Sequence, residues 1–145
     1  MKEITLESKR ENLKALFDFI IGELNVAGCD DKVIRQCKLC VEEIFLNISN
    51  YAYYPHTGDT TVSLDIPEQK DKSRVKIVFS DKGRAFNPLE EKEPDVEADL
   101  DSRPIGGLGI FLVLSTMDDV SYKYIDGQNV LTMEKNFFPS AGGLI

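Results

Sequence analysis

"KVIRQCKLCVEEIFLNISNYAYY", residues 32–54, places Val33, Cys37, Cys40, Val41, Ile44 and Ile48 along one line of an otherwise polar segment. The spacing follows the 3.6-residue period of an amphipathic helix, and Pro55 ends it. Asp30 or Asp31 stands where a side-chain oxygen can cap the first free backbone N–H groups. A long helix with one apolar stripe buries that stripe against a second layer. The flanking segments define the layer.

Upstream, "EITLES" (3–8) alternates as a short strand, and "RENLKALFDFIIGELNVAG" (10–28) sets Leu13, Leu16, Phe17, Ile20, Ile21 and Leu24 at helical spacing before stopping near Gly28. Downstream, "TTVSLDI" (60–66) and "SRVKIVFSD" (73–81) alternate around the charged turn "PEQKDK" and read as an antiparallel pair. "VSYKYI" (120–125) and "NVLTMEKNFF" (129–138) flank "DGQ" as a second hairpin, and a glycine-led helix is expected over 107–117. The ending "FPSAGGLI" reads as a loose tail. This order predicts an α/β two-layer sandwich in a single domain over residues 1–145. Its sheet is mixed but mostly antiparallel, with the helices on one face.

A net charge of −8 and the lack of a basic stripe argue against a nucleic-acid partner, because such binding rests on neutralising phosphates. No apolar run approaches the roughly 18–20 residues that cross a bilayer, and "MKEITLESKR" has no hydrophobic signal region. No membrane association and a cytoplasmic location are therefore expected. Cys29, Cys37 and Cys40 are an odd set. "CKLC" has the spacing of a redox or zinc pair but lies inside the helical pattern, so the cysteines read as small buried apolar residues.

Three stretches carry chemistry. Glu43 and Asn47 are one turn apart on the long helix, where a carboxylate can accept a proton and an amide oxygen can take a place on a hard cation. The same pair also reads as an ordinary polar edge of the core. In "DKGRAFNP" (81–88) a strand ends in Asp81, which can accept a hydrogen bond from an exocyclic amine, and Gly83 permits close backbone approach. Alone, that stretch is also an ordinary turn. In "RPIGGLGIFLVLSTM" (103–117) glycines open a helix, where unpaired N–H groups and the positive dipole end suit an anion. The run "EEKEPDVEADLD" (90–101), seven acids against one lysine, precedes them and reads as a solvated loop or as a mobile cover. There is no G-x-G-x-x-G frame after a strand and no G-x-x-x-x-G-K-[ST] loop, so neither a Rossmann site nor a P-loop is present.

Taken in order, "VEEIFLNISNYAY", "DKGRAFNP", "RPIGGLGIFLV", "MDDVSY" and "NVLTMEK" resemble the GHKL superfamily of ATPases, the Bergerat fold of gyrase and histidine-kinase catalytic domains. Within it the chain looks most like the anti-sigma factor serine/threonine kinases, and the resemblance covers essentially its whole length. The resemblance implies ATP and Mg²⁺ as ligands, with an ATP lid at about residues 86–106. By the same resemblance Glu43 is the catalytic base, Asn47 holds Mg²⁺, Asp81 reads the adenine amine and Gly83 lets the ring approach. Gly106, Gly107 and Gly109 would offer backbone donors to phosphate, and Thr132 would assist at adenine. Arg103 either touches the terminal phosphate or faces water from the lid. Tyr51 departs from the histidine that close relatives often carry there.

The activity implied is phosphorylation of a STAS-domain anti-anti-sigma protein together with sequestration of a sigma factor, and close relatives suggest a homodimer. A binding module of the same fold that has lost phosphoryl transfer is the alternative. A water-using ATPase and a histidine kinase rank lower, because no transducer domain and no phospho-accepting helix accompany the domain.

Overall fold

The computed structural model describes residues 2–66, 73–90 and 107–137. The chain runs β1 (Lys2–Glu7), α1 (Leu13–Val26), α2 (Asp31–Tyr51), β2 (Asp59–Asp65), β3 (Ser73–Asp81), α3 (Gly107–Thr116), β4 (Asp119–Ile125) and β5 (Gln128–Phe137). The five strands lie in the order β1-β2-β3-β5-β4. Every neighbouring pair is antiparallel, so the sheet is not mixed.

Alternation along the strands sets which face is dry. Val62 and Leu64 of β2, Val75, Ile77 and Phe79 of β3, and Leu131 and Met133 of β5 are buried. They join Leu16, Ile20 and Leu24 of α1, the stripe Val33 to Ile48 of α2, and Ile110 and Val113 of α3 in one core. The two-layer sandwich expected from the sequence is the fold observed. All three cysteines are buried within that core, and burial pushes the Cys37 thiol up to about 12. A thiol so held stays protonated, and so is a poor nucleophile, at neutral pH.

Local chemistry fixes the element ends. Asp30 caps α2 by accepting a 2.9 Å bond from the Val33 N–H. α1 ends in a Schellman arrangement: the Gly28 N–H donates to Asn25 and the Cys29 N–H to Leu24. Gly28 sits at φ 82°, a region closed to most side chains. Between β4 and β5, Asp126 and Gly127 both have positive φ, 53° and 74°, as a type I′ turn demands. Lys135 reaches from β5 to the Thr116 carbonyl at 2.8 Å and satisfies the last turn of α3. Among the described residues, no helix is long and apolar enough to cross a membrane.

Gly28→Ala is expected to lower the unfolding free energy by about 1–2 kcal/mol, the penalty of a Cβ in the left-handed region. Urea unfolding followed by circular dichroism measures it, and an unchanged midpoint would contradict the capping role.

Candidate active site

A cleft opens where the α2 C-terminal half faces the adjoining ends of β3 and β5. Ile44, Ile48, Phe79 and Leu131 give it apolar walls, and Asn47, Asp81, Tyr122 and Asn129 bring polar atoms to it. A flat apolar ring with a few edge donors and acceptors suits such a lining.

Asp81 and Asn129 face each other across the β3–β5 pair. They are only 5% and 6% exposed, so every hydrogen bond they make or lack matters. Asp81 Oδ1 accepts from the Gly83 N–H and from Asn129 Nδ2, each at 2.9 Å. Asn129 Nδ2 also donates to the Arg84 carbonyl at 2.8 Å, while Asn129 Oδ1 accepts from the Phe86 N–H at 3.1 Å and from the Tyr122 hydroxyl. Asp81 Oδ2 has no partner among the described residues. Burial raises the Asp81 carboxyl above the usual range, and the Asn129 and Gly83 hydrogen bonds pull against that rise.

The turn after Asp81 is clamped to the end of α2. The Arg84 N–H donates to the Ala52 carbonyl at 3.0 Å and Arg84 Nε to that of Tyr51 at 3.2 Å. The Tyr53 hydroxyl accepts from the Lys82 N–H at 2.8 Å and donates to the Asp59 carbonyl at 2.7 Å. A Cβ on Gly83 would lie 2.6 Å from the Ala52 carbonyl carbon, so the bare backbone of Gly83 is spent on docking α2. Tyr51 stacks on Phe86, with ring centroids 5.5 Å apart.

Asn47 lines the cleft at 7% exposure, and its side chain has no hydrogen-bond partner among the described residues. Glu43, one turn earlier, is half-buried and lies against the first turn of α3 instead of lining the cleft. A Cβ on Gly109 would sit 2.7 Å from Glu43 Cδ, so the glycine makes room for the carboxyl. Burial, followed by the neighbouring charge of Glu42, raises the Glu43 carboxyl.

The structure thus brings Asn47 and Asp81 to one cleft, seats Glu43 on Gly109, and opens α3 at Gly107. Arg103, Gly106 and the part of the expected lid beyond residue 90 lie outside the described residues. Thr132 is a correction. It belongs to the strand parity of Val130 and Glu134, opposite to buried Leu131 and Met133, and so stands on the sheet face away from the cleft. The polar side chain that β5 sends to the cleft is Asn129. Its signal was available: it shares the parity of Leu131 and Met133, so a polar residue there faces the core.

A five-stranded antiparallel sheet covered by helices, with a cleft between the two layers, is consistent with the fold of histidine kinase-like ATPase domains. The sequence profile of that family, the "Histidine kinase-like ATPase domain", matches residues 6–135, and the chain belongs to it. Among individual proteins, it is 34% identical over 115 residues to "Serine-protein kinase RsbW" of Listeria monocytogenes serovar 1/2a, covering 76% of this chain and 71% of that one. It is also 27% identical over 133 residues to the protein of the same name from Bacillus cereus (strain B4264), covering 89% and 81%.

The raised Asp81 carboxyl makes a stability prediction. Above its folded-state pKa, the fold carries the cost of a buried charge; below the unfolded-state value, both states are neutral and the cost is gone. Asp81→Asn keeps an acceptor for Gly83 and Asn129 while removing the charge. The ligand-free variant is expected to melt higher than wild type at pH 7, with the gap narrowing as pH falls. Thermal unfolding across that range measures it, and a constant gap would show that charge burial is not the cause.

Proposed function

We propose that the chain is an ATP- and Mg²⁺-dependent serine/threonine protein kinase of the cytoplasm. In this reading it sequesters a sigma factor as an anti-sigma factor and phosphorylates a STAS-domain anti-anti-sigma antagonist. The observation that carries the reading is the cleft itself, where two buried polar side chains, Asp81 and Asn47, each keep an oxygen without a partner among the described residues.

Asp81 Oδ2 is an acceptor matched to the exocyclic amine of adenine, with Ile48, Phe79 and Leu131 as apolar walls for the ring. Asn47 has the free amide oxygen that a hard cation takes. Bound beside the phosphates, Mg²⁺ supplies neutralisation of their charge. The α3 N-terminus, opened by Gly107 and Gly109, would add backbone donors for the phosphates. In the transfer, a serine or threonine hydroxyl oxygen of the substrate forms a bond to the terminal phosphorus and the bridging P–O bond to ADP breaks. Glu43 accepts the hydroxyl proton, a task suited to a carboxyl raised by burial. The phosphate then adds nearly two negative charges to the antagonist's contact surface, which favours its release from a chain of net charge −8.

One observation favours the alternative of a catalytically silent ATP-binding module: the Glu43 carboxyl packs on Gly109 instead of lining the cleft. Mutation separates the two readings. Glu43→Gln is expected to keep Mg²⁺-ATP affinity and to lose roughly 10²–10⁴-fold in transfer of labelled phosphate to a STAS-domain substrate. Transfer at the wild-type rate by Glu43→Gln would remove Glu43 as the base, and no transfer by wild type that binds Mg²⁺-ATP would favour the silent module. Asn47→Ala is expected to lose the Mg²⁺-dependent part of nucleotide binding as well as transfer. Calorimetry with and without Mg²⁺ reads that loss, and an unchanged metal dependence would remove Asn47 from the metal site.

A further inference from the structure

We propose that Asn129, held in place by Tyr122, is a positioning residue that sets the base specificity of the cleft by occupying one oxygen of Asp81 and leaving the other as a fixed acceptor. This rests on the reading above that a nucleotide base occupies the cleft.

A free carboxylate is symmetric and can turn either oxygen to a ligand. Asp81 cannot, because Oδ1 is held at 2.9 Å by both the Gly83 N–H and Asn129 Nδ2. The Asn129 amide is itself locked. Its oxygen receives two donors, the Phe86 N–H and the Tyr122 hydroxyl, and its nitrogen faces three acceptors, Asp81 Oδ1, the Arg84 carbonyl and, at 3.4 Å, the Gly83 carbonyl. Flipping that amide would set donors against donors and acceptors against acceptors, all in a place only 6% exposed. The single oxygen left over, Oδ2, therefore presents an acceptor and no donor.

Both hydrogen bonds to Oδ1 favour the ionised carboxylate against the desolvation that opposes it. An ionised acceptor selects a ring with an amino group and rejects one with a carbonyl at the same edge, since that carbonyl would face it unpaired. Tyr122 comes from β4, Asn129 from β5 and Asp81 from β3, so the selectivity is built across three adjacent strands.

The test compares ADP with IDP, which carries an oxo group in place of the adenine amine, by calorimetry on the full chain. Wild type is expected to favour ADP roughly ten- to hundredfold, the worth of one hydrogen bond to a charged group. In Asn129→Leu the preference is expected to fall to about threefold or less through weaker ADP binding, with IDP affinity little changed. Tyr122→Phe, which removes a single hydroxyl, is expected to give an intermediate ratio. If Asn129→Leu does not fold, as circular dichroism would report, the ratio in Tyr122→Phe decides, and a ratio equal to wild type overturns the proposal. Equal weakening of ADP and IDP by Asn129→Leu also overturns it, because that marks a merely loosened cleft. A wild-type preference that survives intact in Asn129→Leu overturns the role of Asn129 and leaves the base-reading role of Asp81 standing. Wild type with no preference overturns both.

Discussion

The pairing of Asp81 with Asn129 is the constraint on which the rest of the cleft depends. Two polar side chains almost without solvent exposure sit opposite each other on neighbouring strands, and each must find partners within the protein. The partners they find are backbone groups of Gly83, Arg84 and Phe86, so satisfying the pair also folds the turn that follows β3. A one-residue slip of β5 against β3 would turn Asn129 to solvent and leave that turn without its side-chain anchor. Sheet register and loop conformation are thereby one choice.

The same turn carries the constraint to the helical layer. Arg84 and Lys82 bond to Ala52, Tyr51 and Tyr53 at the end of α2, and Gly83 lets the two backbones meet. The ring of Phe86 then lies on that of Tyr51. Tyr51 thus has a packing role in this chain. The end of α2 is held by the sheet through these contacts, beyond the general pressure of apolar burial. That fixes where Asn47, one and a half turns back, presents its amide.

Much of this was legible in the sequence because its signals were periodic. The stripe of α2, the alternation of β2 and β3, the hairpin turn at Asp126–Gly127 and the burial of the cysteines follow from spacing alone. Asp81 and Asn47 were each ambiguous alone, an ordinary turn and an ordinary core edge, and became legible as site residues only through the joint order of motifs that resembles the GHKL superfamily. Thr132 failed on the same ground. Its role was carried over from the family resemblance, whereas strand parity, which decides the face, points it away from the cleft. The interlocked amide of Asn129 depends on which strands are neighbours, and the order β3-β5-β4 is not contained in any local pattern. Nor could spacing show that Gly109 would meet Glu43, since α3 and α2 come together only in the folded chain.

Two glycines thus do related work at two points of one helix. Gly83 admits the carbonyl end of α2 at Ala52, and Gly109 admits the Glu43 carboxyl nine residues earlier, about 13 Å along the axis at the rise of an α-helix. Between those points lie Asn47 and the apolar residues Ile44 and Ile48, all lining the cleft. Side chains at either glycine would push a neighbouring element off α2 and widen the cleft from that end. The helix acts as a rail, with the β3 turn seated at one end and α3 at the other. A ligand lying along it meets the Asp81 carboxyl near the first seat and the start of a helix near the second. Polarity along the rail therefore runs from a negative group that takes a donor to a positive helix end that takes an anion. A molecule with an amino-bearing ring at one end and phosphates at the other matches that order, and the reverse orientation would set phosphates against the Asp81 carboxyl and an amine donor against the N–H donors of the helix start.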